Sequence, residues 1–254
     1  MTCLPDLVGT IPMKPSLSQP VPLKSGESVD AFLDGRLRLI QSARGYRFSV
    51  DAILLSDFVT TRPGDFVVDL GAGCGIVALM LLVSRKIKHV LCLEIQAGLA
   101  DQAVRNAALN GFEKKMSVII GDMRDLPLSP SIADVVVCNP PFRPARSGRI
   151  NPDPEKAIAR HEILVSLNDI LRAASRILKP KGRLAMVYPA ERLADLMIRM
   201  RSYELEPKRM RVLYPRSEGE GKLVFMEALR GGRGGLKILP PLMDQGDFSI
   251  SIST

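Results

Sequence analysis

From Asp65 to Cys138 the chain alternates short β-branched runs with stretches of helical periodicity, and no other feature restricts the fold as strongly. DFVVDL (65–70), HVLCLE (89–94), MSVIIG (116–121) and IADVVVC (132–138) predict strands, while IVALMLLVS (76–84) and QAGLADQAVRNAALN (96–110) predict helices. Asn110-Gly111 closes the second helix. Strands separated by helices form a parallel sheet with helices packed on its faces. Farther on, the pattern predicts a helix over 162–178, a strand over RLAMVY (183–188) and a helix over 190–202. KRMRVLY (208–214) and KLVFMEAL (222–229) are joined by PRSEGEG, too short for a crossover helix, so these two strands must pair as a hairpin. The expected class is α/β with a mostly parallel, Rossmann-like sheet that ends in an antiparallel strand.

Upstream, GRLRLIQSARGYRFS (35–49) suggests a short strand pair, and Ser49 with Asp51 caps a helix over VDAILLSDFV. Residues 1–28 are proline-rich and read as a disordered tail, leaving one domain over 29–254 whose strand pair and helix occupy about 35–61. That tail lacks the basic start and unbroken apolar stretch of a secretory signal, and no apolar run is long enough to span a membrane. Cys3, Cys74, Cys92 and Cys138 form no C-x-x-C pair, which suits a reduced cytoplasm and gives no expectation of a metal. The formal charge of +8 favours a polyanionic partner.

VVDLGAGCG (67–75) places Asp69 near a strand end and Gly71, Gly73 and Gly75 ahead of a helix. Glycines allow a tight turn and a close approach to a ligand. The dinucleotide fingerprint wants its third glycine at position 76, where the chain has Ile76, and the loop lacks the Lys-Ser/Thr pair of a phosphate cradle. An acid at Asp69 repels phosphate, so the loop suits an adenosyl ligand with a charged amino-acid end. Glu94, about 20 residues on, can accept both ribose hydroxyls, and Asp122 can accept an adenine amine.

VVVCNPPF (135–142) ends the fourth strand at Asn139, because Pro140 and Pro141 cannot donate to a ladder. The Asn139 amide oxygen and the Pro140 carbonyl can accept both hydrogens of a planar amino group, Pro141 stiffens the loop, and Phe142 offers a stacking face. Accepting both hydrogens favours the pyramidal nitrogen that attacks in line, so the chemistry indicated is methyl transfer to an exocyclic amine. Arg143, Arg146, Arg149 and Arg160 follow as candidate phosphate contacts.

In DLGAGCG and NPPF the chain resembles the class I S-adenosylmethionine-dependent methyltransferases. In YRFSVDAILLSDFV (46–59), LEIQAGLADQAVRNAALNG (93–111) and VCNPPFRPARSGRINPDPEKAIARHE (137–162) it is similar, more narrowly, to the bacterial tRNA1(Val) adenine-N6 methyltransferases. The resemblance implies a seven-stranded sheet, S-adenosylmethionine as cofactor and tRNA as partner. It implies cofactor contacts at Asp69, Gly71, Gly73, Glu94, Asp122 and Asn139, with Gly75, Ile95 and Met123 beside them and Phe48, Ser49 and Asp51 lining the pocket. Asn139 and Pro140 would hold the target amine, and Phe142 would stack on its base. Three alternatives stay open: a protein glutamine methyltransferase, which shares the N-P-P-aromatic motif, another amino-methyltransferase with that motif acting on rRNA or DNA, and a non-catalytic RNA-binding protein that keeps the fold.

Overall fold

The computed structural model describes residues 21–43, 50–140, 165–215 and 219–244. An antiparallel hairpin comes first, β1 (Glu27–Phe32) and β2 (Leu37–Ser42), turning through Leu33 and Asp34 at positive φ. The strand pair therefore begins earlier than the expected 35–49: ESVDAF supplies its first strand, and Glu27 lies inside the segment assigned to the tail. Helix α1 (Val50–Phe58) leads into β3 (Phe66–Leu70), α2 (Ile76–Ser84), β4 (His89–Glu94), α3 (Ala97–Leu109), β5 (Met116–Ile120) and β6 (Ala133–Cys138). After these come α4 (Leu167–Ile177), β7 (Leu178–Pro189), α5 (Leu193–Ser202), β8 (Leu205–Tyr214), β9 (Leu223–Arg230), β10 (Lys237–Ile238) and β11 (Leu242–Met243).

The long strands lie in the order β8-β9-β7-β6-β3-β4-β5. All run parallel except β9, which is antiparallel to both β7 and β8, so the fold is the mostly parallel Rossmann-like sheet expected. The two-residue strands β10 and β11 pair with β8 and cover part of its outer edge, an addition with no strong signal in the sequence. Pro207 sits beside the register shift between Pro207 and Arg209, where the ladder tolerates a missing N–H. Strand β7 starts at Leu178 rather than Arg183, and the expected helix over 190–202 opens with a 3-10 turn at Ala190–Arg192.

Alternation along the central strands builds one core on each face. Val67, Cys92, Val135 and Val137 pack with α1, α2 and β2, whereas Val68, Leu70, Val136 and Cys138 pack with α4 and α5. Both faces being covered explains why these strands read as continuous apolar runs. Helix α4 begins with a capping box in which Ser166 and Asp169 satisfy each other's backbone N–H groups.

Candidate active site

The sheet turns from β3 outward in two directions, through β4 and β5 on one side and β6 and β7 on the other. The crevice at the carboxyl ends of β3 and β6 is the place where such sheets bind ligands. Asp69 and Glu94 lie at the ends of β3 and β4, Asp122 follows β5, and Asn139 follows β6. Asp69 is in register with Cys92 on one side and Val137 on the other. Alternation gives Asn139 the face of Val135 and Val137, the same face that carries Asp69.

The glycine loop is held from β4. The N–H groups of Gly71 and Ala72 both donate to the Leu93 carbonyl, at 2.9 and 3.1 Å, and Gly73 N–H donates to Glu94 Oε2 at 2.8 Å. Glu94 Oε1 accepts from Gln96 N–H at 2.9 Å, so one carboxylate orients both the loop and the start of α3. Gly75 needs its lack of a side chain: its φ is +86°, and a Cβ there would come within 3.2 Å of Ala103 Cβ. The glycine thus seats α2 against α3 rather than only opening room for a ligand.

Two buried acids face this loop. Asp69 is only 1% exposed, and its Oδ2 has no hydrogen-bond partner among the described residues. Burial, with the nearby Glu94 charge, pushes its carboxyl up to about 7. Burial also raises Glu94, against the lowering effect of the backbone N–H groups it accepts. A buried carboxylate with an open oxygen is costly unless a donor or cation meets it. Glu94 keeps spare lone pairs beyond its two backbone bonds and can take hydroxyl donors. The pair suits a ligand carrying an ammonium group and a vicinal diol.

Asp122 has a local partner. Its carboxylate accepts from Arg124 Nε at 2.9 and 3.0 Å and from Arg124 N–H at 2.8 Å, and the guanidinium beside it lowers its pKa. An adenine amine there would share the carboxylate with Arg124, which leaves lone pairs to spare. Met123 is half-buried with its Cε 3.7 Å from where a Gly71 Cβ would stand, and Ile95 is 37% exposed beside Glu94. Asp51 lies in the first turn of α1, half-buried. Pro140 is buried and Asn139 half-buried. Phe48, Ser49, Pro141, Phe142, Arg143, Arg146, Arg149 and Arg160 lie outside the described residues.

Helix α3 and its C-cap make contacts that the sequence did not predict. Asn106 is fully buried; its Oδ1 accepts from Ile40 N–H at 2.6 Å, and its Nδ2 donates to the carbonyls of Ile40 and Cys74 at 3.1 and 3.0 Å. One turn later, Asn110 accepts from Arg38 N–H at 2.9 Å and donates to the Arg38 carbonyl at 2.7 Å. Two amides four residues apart thus complete the hydrogen bonding of the β2 edge and tie it to the glycine loop. Arg105 grips Glu27 with two bonds of 2.6 and 2.7 Å, which hold the Glu27 carboxyl at about 2. The only signal was Asn106, of a type unfavourable inside a helix, four positions before the closing Asn110.

The methyltransferase small domain family model matches residues 49–200, the span from α1 through α5 that builds this site. The chain belongs to that family. Methyltransferase small-domain relatives include the tRNA1(Val) (adenine(37)-N6)-methyltransferase of Porphyromonas gingivalis, 31% identical over 206 residues that cover 78% of this chain and 80% of the relative. The enzyme of the same name from Aeromonas salmonicida is 28% identical over 73% of this chain and 77% of its own length. Among solved structures, a predicted O-methyltransferase from Agrobacterium tumefaciens superposes with a TM-score of 0.62 at 21% identity, covering 78% of this chain and 90% of that one. Geranyl diphosphate C-methyltransferase from Streptomyces coelicolor, in complex with S-adenosyl-L-homocysteine, superposes with a TM-score of 0.51 at 16% identity, covering 70% and 74% of the two chains. These structures share the fold. The methyltransferase small-domain protein described here is an S-adenosylmethionine-dependent methyltransferase, and the open oxygen of buried Asp69 is the feature of its own site that fits that cofactor.

Proposed function

We propose that this methyltransferase acts on the N6 amine of an adenine in tRNA, close to the anticodon, within a single domain spanning about 29–254. The observation that carries the reading is the placement of Asn139 directly after β6 at the switch point, beside the strand that bears Asp69. The names of the curated relatives support the choice of tRNA.

When bound, S-adenosylmethionine supplies a methyl group whose carbon–sulfur bond breaks as the amine nitrogen bonds to carbon, with the electron pair leaving on sulfur. Asp69 holds the cofactor's ammonium, Glu94 its ribose hydroxyls, and the Asp122–Met123 turn its adenine, with Ile95 beside it. Asn139 and Pro140 accept the two hydrogens of the target amine and so hold its lone pair toward the methyl carbon. Phe142 stacks on the base, Pro141 stiffens the loop, and Phe48 and Asp51 close the pocket wall. The proton released from the methylated nitrogen passes to water. Arg143, Arg146, Arg149 and Arg160 meet RNA phosphates.

Incubation with radiolabelled S-adenosylmethionine and separate tRNA, rRNA, DNA and protein pools tests the reading directly. Label is expected in tRNA, and nuclease mapping should place it on one adenine as N6-methyladenosine; label confined to protein would support glutamine methylation instead. The Asp69 role has its own test. Because that carboxyl titrates near 7, much of it is protonated at pH 6.5, and a cationic ligand group must expel the proton on binding. Binding therefore strengthens as pH rises from 6 to about 7, while the ligand's ammonium is still charged. Calorimetry at pH 6.5 in buffers of different ionisation enthalpy should register release of most of one proton, and Asp69→Asn should abolish it.

A further inference from the structure

At the ends of β3, β4 and β5 the described catalytic edge carries Asp69, Glu94, Asp122 and Asp125 against Arg124, so the chain's formal charge of +8 is not explained there. The opposite edge of the sheet is where exposed cations gather. Lys86 and Lys88 precede β4, and Lys114 and Lys115 precede β5. Lys181 occupies the irregular start of β7 with φ +64°, and its ammonium donates to the Gly231 carbonyl just past β9. Arg233 follows on that same turn. Backbone bonds from Gly64 N–H to Lys86 O, Lys88 N–H to Asp65 O and Val90 N–H to Lys115 O lock three of these turns side by side.

None of the six cations forms an ion pair among the described residues. The acids that could neutralise them are largely engaged. Asp65 is taken by buried Arg183, Asp134 by Lys179 at 2.7 Å, and Glu206 by Arg201 at 2.9 Å, which leaves Glu113 and Glu204 as the exposed carboxylates beside the six. From β5 to β9 the belt crosses five inter-strand gaps, roughly 24 Å at about 4.8 Å each, with one cluster at β5 and β4 and another at β7 and β9. Ammonium groups strung along that length, with a guanidinium at one end, match a run of phosphates, whereas a single small anion would meet only one turn.

We propose that this amino-terminal edge of the sheet is a second RNA-docking surface, which holds the phosphate backbone of the substrate RNA away from the site of chemistry. The inference rests on the reading that the substrate is RNA. Phe66 and His89, at the starts of β3 and β4, are stacked on each other, and the six cations suit phosphate, so the belt contributes affinity without sequence choice. Its loss raises the KM for RNA and leaves kcat and cofactor affinity alone. Each phosphate contact removed lowers the slope of log affinity against log salt by about 0.7 to 0.9.

The test compares the full-length chain with a variant carrying Lys86→Gln, Lys88→Gln, Lys114→Gln, Lys115→Gln, Lys181→Gln and Arg233→Gln. Thermal melting and S-adenosylmethionine calorimetry verify that the fold and cofactor site are intact. With the tRNA that the unaltered chain methylates, the variant should show a KM raised on the order of 10- to 100-fold, an unchanged kcat and a salt slope shallower by at least 2. Unchanged KM and slope in the presence of normal methylation by the unaltered chain would overturn the docking surface while leaving the RNA reading intact. Loss of binding to phosphatidylserine vesicles with RNA affinity unaltered would overturn it in favour of a membrane surface. Failure of the unaltered chain to methylate any RNA is a separate result, and it would remove the reading on which the inference stands.

Discussion

Asn139→Ala is expected to slow methyl transfer by about 10²- to 10³-fold while the dissociation constant for S-adenosylmethionine stays within about ten-fold. That is the scale on which enzymes lose rate when one preorganised polar group at the reacting centre is removed. The backbone around Asn139 is well fixed: Cys138 before it is buried in the sheet in register with Met186, and Pro140 after it is buried and has a restricted φ. Truncation therefore removes the amide without releasing the chain. The acids that face the glycine loop stand on β3 and β4 and keep their positions. Without the amide oxygen, the amine keeps its lone pair in the aromatic ring and presents a poor nucleophile. Asn139→Asp keeps acceptor oxygens and should lose less rate than Ala, although its charge adds to a site that already holds two carboxylates. Single-turnover assays separate the chemical step from RNA and cofactor binding, and full activity in the Ala variant would rule out the clamp.

What the sequence disclosed depended on whether a residue's partner was local. The strands β3, β4 and β6 were legible because burial on both faces leaves an unbroken β-branched run, and the switch point followed from the alternation with helices. The turn between β3 and α2 was legible because DLGAGCG gathers its glycines into a few consecutive positions. β1 was not, since ESVDAF mixes polar and apolar side chains and has only one buried residue. The engagement of Asp122 by Arg124 was also hidden, because an acid followed two residues later by an arginine has no fixed relative orientation until the 3-10 turn forms. The basic belt leaves no tract in the sequence at all. Its cations sit in separate short turns that only the strand order brings to one edge.

Asn106→Ala carries the largest expected cost in stability. Asn106 falls in a segment that periodicity marks only as helix, yet its partners are backbone groups 66 and 32 residues away. Removing its amide strands the Ile40 N–H and weakens the satisfaction of the Ile40 and Cys74 carbonyls, all in a fully buried setting. Losses of this kind cost about 1 to 3 kcal/mol per orphaned group, and about 3 to 5 kcal/mol is expected overall, read as a lowered midpoint in urea. Asn106→Asp should do no better: it keeps an acceptor for Ile40 N–H but turns a carboxylate oxygen against two carbonyls. Asn110→Ala sits one turn on, at the mouth of the hairpin, and should cost less because part of the Arg38 backbone can turn to water. The Cys74 carbonyl lies between Gly73 and Gly75, so the same amide that pins β2 also limits the glycine loop. Cofactor affinity of Asn106→Ala, measured well below its melting temperature, should therefore fall, while that of Asn110→Ala, which makes no bond to the loop, should hold.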